Sequence, residues 1–175
     1  MKKIAIAILL SAFVAAPAVA ADLYAGVKLG SVNYGYGNVT NNDQIGFGLL
    51  GGFAFNENFA VEAEYTSLGG FDSPQGTIKG SSFGVSGIGS VPLNQQFSLF
   101  GKLGIASTSL KDSPKPGYVG VYTYNYSGLT VGVGGQYNVS PVVGIRVGFD
   151  WYKVGDSVSG TSSANMMYVG GVFKF

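Results

Sequence analysis

Cysteine and histidine are both absent from this 175-residue chain, and only 11% of its residues are charged. Without thiols there is no disulfide framework, no thiolate zinc site and no lipidated N-terminal cysteine. Without imidazole there is no histidine-based triad and no ordinary zinc hydrolase, so no metal and no cofactor is expected. Long apolar runs are missing as well: mean hydropathy is positive, yet beyond residue 20 nothing approaches the ~20 apolar residues of a spanning helix. Glycine and the aromatics are abundant instead, with 29 Gly, 12 Phe and 11 Tyr. The length suits one domain.

The first residues form a leader. Met1-Lys2-Lys3 is basic, Ile4 to Val14 is apolar, and Ala18-Val19-Ala20 supplies the small residues of a cleavage site. The pattern predicts a secretory signal peptide over 1–20, cut after Ala20 or Ala21, and one domain over 21–175. Loss of Lys2 and Lys3 with the leader leaves eight basic against nine acidic residues, a net charge of −1. An exported chain with no basic patch has no nucleic-acid partner.

The remaining chain alternates with period two, which is strand periodicity. Leu23, Ala25, Val27 and Leu29 alternate with Tyr24, Gly26, Lys28 and Gly30; Phe59, Val61, Ala63 and Tyr65 alternate with Ala60, Glu62, Glu64 and Thr66. Similar segments follow at 44–55, 81–91, 97–106, 129–137, 143–152 and from about residue 165 to the end, the length of tilted strands that cross a bilayer. The connections alternate too. Those at 56–58, 92–96 and 138–141 are tight, whereas 33–43, 67–80, 107–127 and 154–164 read as long and polar. Short turns at one rim and long loops at the other describe an all-β, eight-stranded antiparallel up-and-down transmembrane β-barrel.

In a soluble barrel the apolar face points inward. Here the other face is rich in Gly and carries Lys28, Glu62, Glu64, Lys102, Arg146, Asp150 and Lys174, which suits a narrow polar lumen and leaves the apolar face to lipid. Phe53, Phe55, Phe59, Phe97, Tyr137, Phe173 and Phe175 cluster near the short-turn ends, with Tyr65 and Trp151 toward the long loops, the two levels of interfacial aromatics.

The segments Phe59-Ala-Val-Glu-Ala-Glu-Tyr65 and Phe97-Ser-Leu-Phe-Gly-Lys-Leu-Gly104, with the closing run from Tyr168 to Phe175, resemble the OmpA-type eight-stranded outer-membrane barrel superfamily. Tyr168, Gly170, Phe173 and Phe175 look like the C-terminal signal read by the barrel-assembly machinery. The resemblance implies a bacterial, Gram-negative outer membrane crossed by many strands, and a surface of lipid and lipopolysaccharide. It also implies delivery by periplasmic chaperones, and a structural, adhesive or immune-evasion role for a monomer. Longer relatives carry a peptidoglycan-binding domain after the barrel; none is expected here after Phe175, so their cell-wall tethering is not carried over.

Counted from the short-turn rim, Lys28, Glu64, Lys102 and Arg146 lie about five to seven residues up alternate strands, at similar depth given ~3.3 Å per residue. Glu62 and Glu64 stand about 7 Å apart on one strand and repel unless cations answer them; Lys102 and Arg146 are the expected partners. The expectation is a salt-bridge plug near mid-barrel that includes Asp150. The bland alternative is that these charges only hydrate and pack the interior. The family resemblance adds a third reading, a gate whose opening passes ions or small solutes. Catalysis is not expected: small barrels that are enzymes use histidine at the outer rim, and a lumen this narrow keeps a sugar polymer from Glu62 and Glu64. Residues 107–127 hold Lys111-Asp-Ser-Pro-Lys-Pro116 and Tyr118, Tyr122, Tyr124 and Tyr126, read as a β-ribbon above the membrane whose tyrosines suit contact with a host or matrix ligand.

Overall fold

A computed structural model describes residues 22–35, 44–73, 76–114, 123–154 and 162–175. The predicted leader and the tips of the long connections, including Val119 and Val121, lie outside the described residues. Eight strands follow in chain order among the described residues: β1 (Asp22–Gly35), β2 (Gln44–Ala54), β3 (Phe59–Ser73), β4 (Gly76–Pro92), β5 (Phe97–Pro114), β6 (Thr123–Asn138), β7 (Val143–Val154) and β8 (Ser162–Lys174). Each pairs antiparallel with its sequence neighbour, and β8 returns to β1 from Tyr24↔Lys174 to Gly35↔Ser163, which closes the barrel. Closure removes every free edge from the membrane zone, where water is not available to satisfy backbone groups.

The three tight turns share one chemistry. In each, a four-residue connection is closed by a backbone bond, Phe55 N to Phe59 O at 2.9 Å, Leu93 N to Phe97 O at 2.8 Å and Val139 N to Val143 O at 2.9 Å. The second residue is Asn56, Asn94 or Ser140, and its side-chain oxygen accepts two further backbone N–H bonds. Short polar side chains of this kind stabilise turns by standing in for backbone acceptors.

The other rim departs from expectation. The stretch 67–80 is not a loop: β3 and β4 stay paired to Ser73↔Gly76, with a bulge between Ser67 and Gly70. Gly69 sits at φ 74°, a left-handed conformation that glycine adopts without Cβ strain. The strands β5 and β6 run on to Lys111↔Thr123, within the stretch 107–127 expected as a β-ribbon. In the β3–β4 extension glycines, serines and a bulge interrupt the period-two alternation by which a sequence reveals a strand.

The parity assignment of faces holds through the membrane zone. Leu29, Leu49, Leu103, Ile105, Val133 and Met167 are exposed outward, whereas Lys28, Glu62, Lys102 and Asp150 are buried inside. Rings meet in pairs at the short-turn rim, Phe97 with Tyr137 at 4.8 Å and Phe173 with Phe175 at 5.2 Å between centroids.

Candidate functional site

The ion-paired layers of the lumen come from the odd-numbered strands. Lys28 of β1, Glu64 of β3, Lys102 of β5 and Asp150 of β7 form a closed ring of alternating charge. Lys28 Nζ lies 2.7 Å from Glu64 Oε1 and 2.6 Å from Asp150 Oδ2. Lys102 Nζ lies 2.8 Å from both Glu64 Oε2 and Asp150 Oδ2. Side chains from alternate strands sharing one level is the usual packing of a small barrel. The even strands supply the room. A Cβ on Gly48 of β2 would stand 2.7 Å from Lys28 Cε, and one on Gly132 of β6 would overlap Asp150 Oδ1 and press on Lys102.

Uncharged groups complete the ring. Tyr152 donates to Glu64 Oε1 at 2.6 Å and accepts from Lys28 Nζ at 3.0 Å; Thr66 also donates to Glu64 Oε1, at 2.8 Å. Tyr168 places its ring 4.8 Å from Lys28 Nζ. Asp150 is fully buried, and its Oδ1 has no hydrogen-bond partner among the described residues.

Arg146 and Glu62 occupy a separate layer nearer the short turns. Arg146 Nη1 lies 2.6 Å from Glu62 Oε2, and Nε and Nη2 donate to Gln136 Oε1 at 3.2 and 3.1 Å. Tyr24 donates to Glu62 Oε2 at 3.0 Å, and the guanidinium stacks 4.9 Å from the Phe100 ring. Here the structure corrects the common depth expected for Arg146 and the ring residues. Strand stagger, which closure requires, carries β7 along its axis relative to β1, so Asp150 reaches the ring and Arg146 falls below it.

Both ends of the stack differ in character. Toward the long connections, Val32, Leu68, Ala106, Ala164, Met166 and Tyr168 pack into an apolar layer. Toward the short turns, a cavity of about 1200 Å³ opens to solvent, with Tyr24, Phe100, Gln136 and Arg146 at its floor. The sequence reading left out the inward Leu50, Ile88 and Phe100 and gave no role to Tyr24 and Tyr152. Adjacent apolar residues such as Leu49-Leu50 held the signal, since period two sends one of them inward. Of the proposed assembly residues, Tyr168 and Gly170 belong to the inward set, whereas Phe173 and Phe175 face outward. Among the described residues no group of side chains could hold a metal.

Eight antiparallel strands, apolar outside and charged inside, define a transmembrane β-barrel. Residues 5–175 match the family of the outer membrane protein beta-barrel domain, and the chain belongs to that family. Solved structures agree on the fold. The attachment invasion locus protein Ail of Yersinia pestis is 20% identical, over 89% of this chain and 97% of that one, with a TM-score of 0.63. Neisserial surface protein A is 16% identical, over 91% and 100%, with a TM-score of 0.69. OprG of Pseudomonas aeruginosa is 13% identical, over 89% and 95%, with a TM-score of 0.58. No curated protein matches the sequence. The protein is a multi-pass barrel of the bacterial outer membrane.

Proposed function

We propose that this barrel is a closed surface protein that works through what it displays outside the cell, with a structural or adhesive role and no catalytic one. The observation that carries this reading is the ring of Lys28, Glu64, Lys102 and Asp150, which spans the lumen beneath an apolar layer. The ring and the apolar layer together interrupt a solute path through the lumen, and both carboxylates of the Glu62 and Glu64 pair are committed to cations. The displayed surface is the β5–β6 ribbon with its tyrosine-rich connection, to which a host or matrix ligand would bind. One structure of Ail is a complex with the heparin analogue sucrose octasulfate, which supports trying sulfated glycans first. Deletion of residues 112–122, with surface display retained, should abolish binding to host cells or matrix; unaltered binding would refute the adhesive role.

A narrow gated pore is the second reading, favoured by the twofold partnering of Lys28 and Lys102. Each lysine touches both carboxylates, so a lysine can shift between them without leaving a charge alone. In either reading residues 1–20 direct export, Tyr168, Gly170, Phe173 and Phe175 present the chain to the assembly machinery, and the barrel is a monomer in lipid.

A further inference from the structure

The cavity of about 1200 Å³ at the short-turn rim exceeds the ~300–1,000 Å³ of common small-ligand clefts. Its wall has two halves. Ala54, Ala60, Ile88 and Phe100 make an apolar arc from β2 to β5, whereas Gln136, Asn138, Arg146 and Lys174 make a polar arc from β6 to β8. Arg146 lies at the floor and is 6% exposed. Of the five N–H groups of a guanidinium, Nη1 gives one to Glu62, and Nε and Nη2 give one each to Gln136 Oε1. One N–H on each Nη is left without a partner among the described residues, and such donors take a carboxylate. The guanidinium is held in place: Gln136 Nε2 donates to Asn138 Oδ1 at 2.8 Å, and the rings of Tyr24 and Phe100 lie 5.6 and 4.9 Å away. A donor fixed in this way loses little entropy on binding. A second cation stands nearer the mouth. Lys174 is four residues beyond Gly170, the register partner of Arg146, hence about 13 Å along β8 at ~3.3 Å per residue. It faces the lumen beside Tyr24 and forms no ion pair among the described residues. Glu57 is the only acidic residue on the described wall, out on the exposed β2–β3 turn.

We propose that this vestibule captures the free C-terminus of a short periplasmic peptide. Arg146 takes the terminal carboxylate, the apolar arc takes the last side chain, and Lys174 takes an acidic side chain about three residues before the end. A fatty chain would use the apolar arc alone, whereas a peptide uses both, with its main-chain amides toward Ser98 and Asn138. The inference rests on the short turns lying in the periplasm and is independent of the adhesive reading, which concerns the other rim. The test is an NMR titration of the barrel in lipid nanodiscs with N-acetyl-glutamyl-alanyl-alanyl-leucine as free acid. Saturable shifts should appear at Ala60, Ile88, Gln136 and Val172. The C-terminal amide of the same peptide should bind about tenfold more weakly, the worth of one charge-assisted contact. Lys174→Gln should weaken the free acid about threefold, as for one exposed ion pair, and should leave the glutaminyl analogue of the peptide unaffected. Arg146→Lys keeps the charge beside Glu62 but loses the paired donors, and should weaken binding about tenfold. Ala60→Leu narrows the vestibule without touching an ion pair and should abolish the saturable shifts, while Lys79→Gln at the opposite rim should leave them unchanged. Heat-modifiable gel mobility establishes that each variant is folded. Equal affinity of wild type for the acid and the amide would overturn the proposal, as would shifts that survive Ala60→Leu. Displacement of the peptide by acetate at an equal concentration would make Arg146 a general anion site, and hexanoate binding as tightly as the peptide would make the ligand an acyl chain; either result also overturns it.

Discussion

Arg146 Nη1 lies 2.6 Å from Glu62 Oε2, and the two side chains start from β7 and β3, on opposite walls of the barrel. The pair therefore ties the lumen across its diameter. Glu62→Gln should destabilise the folded barrel by about 3 kcal/mol because it leaves a buried guanidinium unanswered. The double change with Arg146→Met should recover much of that loss. Urea titration in lipid vesicles followed by gel mobility measures both, and a double variant no better than the single one would show that the two residues act independently.

Lys102 bridges Glu64 and Asp150, so Lys102→Ala leaves Lys28 alone against two carboxylates. Water should follow into the layer, and planar bilayers should show small discrete currents where wild type is silent. Closed recordings from Lys102→Ala and Arg146→Gln alike would remove the gate and leave a structural plug.

Glycines on the two faces should respond differently to a methyl group. Gly132→Ala pushes a Cβ into Asp150 and Lys102, with an expected cost of about 1–3 kcal/mol from overpacking. Gly89→Ala faces outward with nothing within 4 Å, and should be neutral or stabilising by about 0.5 kcal/mol through reduced chain entropy. Comparison of unfolding midpoints checks this pair, and equal effects would mean that the lumen repacks freely around the ring.

Gly69→Ala places a Cβ at φ 74° and 3.0 Å from the Ile45 carbonyl oxygen. About 1–2 kcal/mol of backbone strain should loosen the β3–β4 extension while the membrane zone stays closed. Faster proteolysis confined to residues near 70–80, with gel mobility unchanged, is the expected result.

Phe175 is outward and well exposed, so Phe175→Ala should hardly alter refolding into vesicles. If it belongs to the assembly signal, the same variant should accumulate poorly in the outer membrane of living cells. Normal accumulation would separate the terminal ring from assembly.

The sequence by itself determined the class of protein and the side to which each residue points. Period-two alternation assigns Val27, Leu103 and Ile105 to lipid and Lys28, Glu64, Lys102 and Asp150 to the lumen. The solvents on the two faces are so different that a one-residue slip would be ruinous. The tight turns were legible for a local reason, since Asn56, Asn94 and Ser140 act within three residues of themselves. Lys102 and Arg146 are the partners that the sequence offers for Glu62 and Glu64; only the tertiary structure decided that Arg146 meets Glu62 while Lys102 shares Glu64 and Asp150 with Lys28. Depth counted along a strand omits the stagger accumulated around a closed sheet, and that stagger brings Asp150 into the ring and sends Arg146 down to Glu62. It also decided how far the sheet continues outside the membrane. From Ser67 to Lys79, hydrogen bonding between β3 and β4 holds the ladder although glycines, serines and a bulge break the period-two pattern of the chain.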